Sequence, residues 1–239
     1  MRLETLPWLW LWLWLLTGLA SATANTTQNG TQGIDLLDYH LPVNWKTAIA
    51  NGVEFVFVKA TEGIHYRNLR YPLQTASALA AAPTILHGAI HFAAAAQSSG
   101  AEQADFFLEH GGNQTQTRRT LPGVLEMEGN IAGKLCHGMT PVEITDWMLD
   151  FSDRYTSRTG RRPMLFLSEE WWARCAGGNM TFGAEHPLWL AHWADEMGAL
   201  PAGWTEATFW QYAGASGYGG EADVFLGSRR ELVRFAVGG

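Results

Sequence analysis

The chain has 239 residues, a hydrophobic fraction of 47% and a formal net charge of -7 at pH 7. That length builds one α/β domain with a full core and does not require a second. The acidic balance excludes nucleic-acid binding as a main activity.

From the N-terminus, Arg2 precedes an apolar run from Leu6 to Ala20, and Ala22, Thr23 and Ala24 form an A-x-A pattern, so residues 1–24 read as a secretory signal peptide. A signal anchor is the competing reading, but about 15 apolar residues fall short of the roughly 20 that a spanning helix needs. Trp8, Trp10, Trp12 and Trp14 belong to this segment and carry no information about the fold. Residues 25–32 read as a short disordered lead, and 33–239 as one domain without linker or repeat. Cleavage removes Arg2 and Glu4 together, leaving the net charge unchanged. In an exported chain the two cysteines, Cys136 and Cys175, read as one disulfide rather than a metal pair, since no second Cys or His cluster stands at ligand spacing. Sequons at Asn25, Asn29, Asn113 and Asn179 hint at a eukaryotic secretory route.

Eight short apolar runs follow in chain order, each a predicted strand: Ile34 to Leu37, Phe55 to Ala60, Gly88 to Ala93, Gly123 to Glu128, Pro163 to Ser168, Leu188 to Trp193, Thr208 to Tyr212 and Ala222 to Leu226. Several are apolar on both faces, as in a parallel sheet covered by helices outside and packed side chains within. Between them stand a weak helix over Trp45 to Ala50, an Ala-rich one over Gln74 to Ala82, and three capping boxes: Ser99 with Glu102, Thr140 with Glu143, and Ser228 with Glu231. The middle box has Pro141 at the first helical position, Ile144, Trp147, Met148, Phe151 and Tyr155 at helical spacing, and Gly160 as the stop. After Leu188 the intervals are too short or Gly-rich for full helices. Eight strands with missing late helices predict a modified (β/α) barrel.

Such barrels carry their chemistry at the C-terminal strand ends. Here those ends offer Asp35 and Asp38, Lys59 and Glu62, His91, Glu126 and Glu128, His192 and Asp195, Gln211, and Asp223. Glu126 and Glu128 are two apart on one strand and therefore share a face. If that face is the interior, repulsion and desolvation raise one pKa, giving an acid beside a carboxylate, the division of labour that glycosidic cleavage needs. The alternative is an exposed edge with two solvated glutamates; Val124 and Leu125 argue against it. Tyr39, Trp193, Trp210, Tyr212 and Tyr218 near the rim suit the apolar faces of sugars as a group, although any one of them can be core. No G-x-S-x-G elbow, H-E-x-x-H or Gly-rich phosphate loop is present.

Gly33-Ile34-Asp35, Lys59-Ala60-Thr61-Glu62-Gly63, His91-Phe92, Leu121-Pro122-Gly123-Val124-Leu125 before the paired carboxylates, Trp189-Leu190-Ala191-His192-Trp193, and Thr208-Phe209-Trp210-Gln211-Tyr212 together resemble, in order and spacing, the Chalaropsis-type lysozymes of glycoside hydrolase family 25. The resemblance implies a flattened, TIM-like (β/α)5(β)3 barrel. It also implies hydrolysis of the β-1,4 bond between N-acetylmuramic acid and N-acetylglucosamine in bacterial peptidoglycan. By motif, Glu128 is the general acid, Glu126 stands where the family has an aspartate, and Asp35 and Asp223 support the charged centre. The substrate's own N-acetyl group is the implied nucleophile. Tyr39, Lys59, Glu62, His91, Trp193, Gln211 and Tyr212 are expected to bind substrate. No metal or other cofactor, no nucleic acid and no membrane after signal cleavage is expected, and the protein is expected to act as a secreted monomer. A bacterial wall is anionic, so an acidic medium suits this acidic chain.

Two departures bear on activity: Glu126 is one methylene longer than the family aspartate, and Phe166 stands where a tyrosine is usual. They set an active muramidase against a second reading, a glycan-binding protein that kept the cleft and lost the chemistry. A more remote third is hydrolysis of another N-acetylated polymer such as chitin.

Overall fold

The computed structural model describes residues 28–113, 119–129 and 134–238; the predicted signal peptide and Asn25 lie outside them. Eight strands close a barrel: β1 (Thr31–Leu36), β2 (Val53–Glu62), β4 (Leu86–Phe92), β5 (Val124–Glu126), β6 (Met164–Leu167), β7 (Leu188–Ala191), β8 (Phe209–Ala213) and β9 (Glu221–Phe225). The two-residue β3 (Tyr66–Arg67) folds back antiparallel on the end of β2. The order is β1-β9-β8-β7-β6-β5-β4-β2, and pairing of β1 with β2 completes the ring. Every barrel pairing is parallel except those of β9, which runs antiparallel to both β8 and β1.

Helices α1 (Trp45–Ala50), α2 (Tyr71–Ala81), α3 (Gly100–Phe107), α4 (Pro141–Thr159) and α5 (Glu169–Cys175) accompany the first five barrel strands, whereas no α-helix separates β7, β8 and β9 among the described residues. This is the (β/α)5(β)3 arrangement, with α6 (Arg229–Val237) added after β9. All three capping boxes form, each with the serine or threonine oxygen accepting from the third helical N–H and the glutamate accepting from the cap N–H. Such a cap stabilises a helix by about 1 kcal/mol. Gly160 closes α4 at φ 76°, a backbone that glycine adopts without strain.

The last two residues of the lead expected over 25–32 belong to the barrel. Thr31 and Gln32 are already buried in β1, paired with Phe225 and Val224 of β9. Their polar atoms are satisfied by Gly227 O and by the Tyr212 hydroxyl, at 2.9 and 3.2 Å, which lets two polar residues begin a buried strand.

Two cores flank the sheet. Outside, Ile34, Leu36, Val56, Val58, Leu125 and Met127 pack against the helices. Inside, Phe55, Phe57, Phe166, Trp189, Phe209 and Phe225 fill the barrel floor with edge-on and tilted rings 4.7 to 6.0 Å apart. A Cβ at Gly33 would run into the ring of Phe55, so the absent side chain on β1 is what lets that ring cross the interior. The cysteines form the expected bridge, Cys136–Cys175, tying the segment after β5 to the end of α5. Among the described residues no helix is long and apolar enough to cross a membrane.

Candidate active site

Because side chains alternate along a strand, the register decides which residues reach the interior. On β1 and β9 the partners are Gly33 with Asp223 and Asp35 with Glu221, so Asp35, Glu221 and Asp223 share the inner face. On β5, Glu126 pairs with Phe166 and Phe92, in line with the interior ring system, while Leu125 and Met127 face the helices. Lys59 and Glu62 are three apart and would ordinarily face opposite ways. A bulge at Ala60 restores their common face, and Lys59 Nζ bonds Glu62 Oε2 at 2.7 Å. The ammonium also lies 4.5 Å from the centre of the Phe92 ring.

Five carboxyl groups thus gather over the aromatic floor: Asp35, Glu126, Glu128, Glu221 and Asp223. Burial is the first cause of a raised pKa in each. Asp35 is pushed up to about 6 by burial, restrained by the hydrogen bond from Gln211. Glu221 reaches about 9, with Asp35 and Glu128 adding repulsion. Glu126 and Asp223 rise well above the carboxylate range, Glu126 chiefly by burial and then by Glu128, with Lys59 pulling the other way. Glu128 is raised by burial and held back by Lys59. Neither oxygen of Asp223 receives a conventional hydrogen bond, and its neighbours are the Asp35 carboxyl and the Trp189 indole. Glu126 Oε2 is likewise buried without a partner, whereas Glu128 is only half-buried.

The rim is set by a relay. Trp193 Nε1 donates to Gln211 Oε1 at 2.8 Å, and Gln211 Nε2 donates to Asp35 Oδ2 and Glu221 Oε2, both at 2.7 Å. Gln211 therefore spends its polar atoms on the protein, while Trp193 itself, 64% exposed, presents its ring to solvent. Tyr39 is 70% exposed and stands edge-on to His40, whose Nε2 lies 3.9 Å from Glu221 Oε1. Burial raises the Tyr39 hydroxyl's pKa, followed by the charges of Glu221, Asp35 and Glu126.

Two residues expected at the cleft lie elsewhere. His91 pairs with Leu125 and so faces the helices. It is fully buried between Thr61 Oγ1 (2.8 Å) and Gln103 Oε1 (3.0 Å), stacked on Phe151, and burial lowers its pKa to about 4. Tyr212 sits at a bulge on the outer face of β8, its hydroxyl on Gln32. Conversely, Glu221 was not among the expected residues. Its signal was available only with the direction of β9: an antiparallel strand brings its first residue, not its last, to the mouth where the other strands end. Among the described residues no three of the His, Cys, Asp and Glu side chains are grouped as a metal site would require.

Residues 34–220 match the sequence profile of the family described as Glycosyl hydrolases family 25. The chain is 37% identical over 219 residues to the N,O-diacetylmuramidase of Arthroderma benhamiae, covering 92% of each. It is 38% identical over 209 residues to that of Chalaropsis sp., covering 87% of this chain and 99% of the relative. The muramidase structure from Acremonium alcalophilum superposes with a TM-score of 0.84 at 36% identity, over 87% of this chain and 99% of that one. A barrel with β9 reversed, carboxyls at one mouth and similarity running nearly end to end have one common explanation: the chain belongs to family 25 of the glycosyl hydrolases.

Proposed function

We propose that this chain is a muramidase, exported by its leader as a monomer, that hydrolyses the β-1,4 bond between N-acetylmuramic acid and N-acetylglucosamine in peptidoglycan. The observation that carries the reading is the Glu126–Glu128 pair: two carboxyls two residues apart at the open end of the barrel, one buried and one half-buried, both with pKa values raised by burial. Burial, with repulsion from Glu128 added at Glu126, favours a proton on the pair at pH values where an isolated glutamate has lost it. Relatives covered almost end to end bear the name N,O-diacetylmuramidase, which supports the same substrate class.

In this reading Glu128, the more accessible carboxyl, gives its proton to the glycosidic oxygen as the bond from the anomeric carbon breaks. The N-acetyl carbonyl oxygen closes on that carbon, and Glu126 steers that group while the Glu128 carboxylate left by the proton transfer faces the positive charge. Water then attacks the same carbon, giving a proton to Glu128 and restoring the acid. Asp35, oriented by Gln211, supplies negative charge beneath the centre once it is ionised, and Asp223 lies beside it. Trp193 and Tyr39 offer exposed rings at the rim to sugar faces. Lys59, bonded to Glu62, tempers the field on both glutamates.

The test is release of reducing ends from purified peptidoglycan between about pH 3 and 7, comparing the parent with Glu128→Gln. General acid catalysis contributes roughly a hundred- to ten-thousandfold, so the variant loses at least that lower factor. N-acetylmuramic acid ends from the parent alone support the reading. Binding without release by both proteins sinks it in favour of a glycan-binding role.

A further inference from the structure

The loop that follows the paired glutamates carries an unusual residue. His137 is the one non-glycine residue with positive φ among those described, at 55°. Its ring is buried, and Nδ1 has no hydrogen-bond partner. A left-handed backbone and an orphaned buried nitrogen are both unfavourable, and such features persist where surrounding structure imposes them, often beside functional groups.

What the ring does is specific. His137 Nε2 lies 3.0 Å from the backbone carbonyl of Glu128. A carbonyl can only accept, so Nε2 must carry the hydrogen and Nδ1 is bare. β5 ends at Glu126, and Met127 N bonds Phe166 O at 2.8 Å, so Glu128 stands beyond the strand. The His137 ring reaches it there from outside the sheet.

The donor is itself held from several sides. Cys136, its neighbour, is bonded to Cys175 at the end of α5. Trp171 Nε1 of the same helix donates to Leu135 O at 3.0 Å. A turn closes from His137 N to Lys134 O and from Met139 N to Cys136 O. Leu135 packs so near Gly129 that a Cβ there would stand 3.2 Å from its Cδ1. Burial lowers the His137 pKa, in keeping with a ring that stays neutral as a donor.

We infer that His137 is a positioning residue: from a turn anchored to α5 by the disulfide and Trp171, its ring fixes the peptide after Glu128 and so sets where the acid's carboxyl stands. The role rests on Glu128 being the proton donor. A carboxyl moved by about 1 Å can lose on the order of a hundredfold in rate.

The experiment compares the parent with His137→Phe, which keeps a ring without the donor, His137→Gly, which relieves the backbone, and His137→Gln, which returns an N–H donor. Turnover on peptidoglycan is measured beside the titration of the Glu128 carboxyl, followed by carbon NMR in glutamate-labelled protein. Phe and Gly are expected to lower kcat roughly ten- to hundredfold with KM nearly unchanged, to shift the Glu128 titration, and to be partly rescued by Gln. The inference is overturned if folded Phe and Gly variants keep the parent's titration, whatever their melting temperatures. The titration needs no turnover, so an inactive parent with shifted variants counts against the muramidase reading and still supports the positioning role.

Discussion

Gln211 Nε2 donates to Asp35 Oδ2 at 2.7 Å, reaching past β9, the strand that separates β8 from β1 in the barrel. The same nitrogen serves Glu221, and the amide oxygen is held by Trp193, so one neutral side chain orders two carboxyls. Gln211→Leu is expected to leave both acids without that donor and to destabilise the fold by about 1–3 kcal/mol. Turnover should fall about tenfold through the loss of orientation. Thermal unfolding and the reducing-end assay check the two effects, and a variant as stable and active as the parent would remove Gln211 from the site's support.

Stability should fall as pH rises. Glu221 goes from the usual 4.5 to about 9 in the folded protein, and Asp35 from 3.8 to about 6. Between the unfolded and folded values the unfolded chain has lost the proton that the folded chain retains, so rising pH favours unfolding. The stabilising proton is fully present below about pH 4, and its contribution is lost through about pH 9. Calorimetric melting from pH 4 to 9 should show a declining temperature. Glu221→Gln, neutral throughout, should flatten the slope and melt higher than the parent near pH 8; an unchanged slope would mean that Glu221 does not hold its proton.

Glu126→Asp shortens a buried carboxyl whose Oε2 has no partner. The family resemblance implies aspartate here, and Phe166, the second departure, is paired beside it. Turnover is expected to rise by about tenfold, as a reacting group moves by roughly one bond length toward the family's position. Equal rates would mean that the longer side chain already reaches the productive place.

Trp193 combines an exposed ring with a buried-side N–H, and the two roles separate by substitution. Trp193→Phe keeps a ring for the sugar but frees Gln211, so kcat should fall several-fold while KM changes little. Gly214→Ala places a methyl 2.6 Å from the Trp193 ring and should displace it, raising KM. Steady-state kinetics on soluble glycan fragments resolve both; identical constants for Gly214→Ala would show that the ring's place is immaterial.

Local chemistry determined a good deal from sequence alone. Capping boxes are satisfied within four residues, so Ser99, Thr140 and Ser228 start their helices in the structure as their spacing requires. The strand and helix alternation, the late missing helices and the cysteine pair were legible for the same reason: each depends on neighbours in the chain or on a two-member choice. The family motifs carried the barrel type. The paired glutamates were also legible as a pair on one face, because strand period is a local property.

Which face looks inward is not local. Ile90-His91-Phe92 and Trp210-Gln211-Tyr212 are large or polar at every position, so alternation could not assign His91 and Tyr212, and strand register sent both outward. The bulge at Ala60 that brings Glu62 beside Lys59 exists only against β4. Glu221 entered the site because β9 is antiparallel, and His137 reached Glu128 because a disulfide and α5 hold its loop there. Sequence specified the elements through contacts a few residues apart; barrel closure, direction and register, which depend on contacts up to nearly the whole chain apart, decided which carboxyls share a cleft.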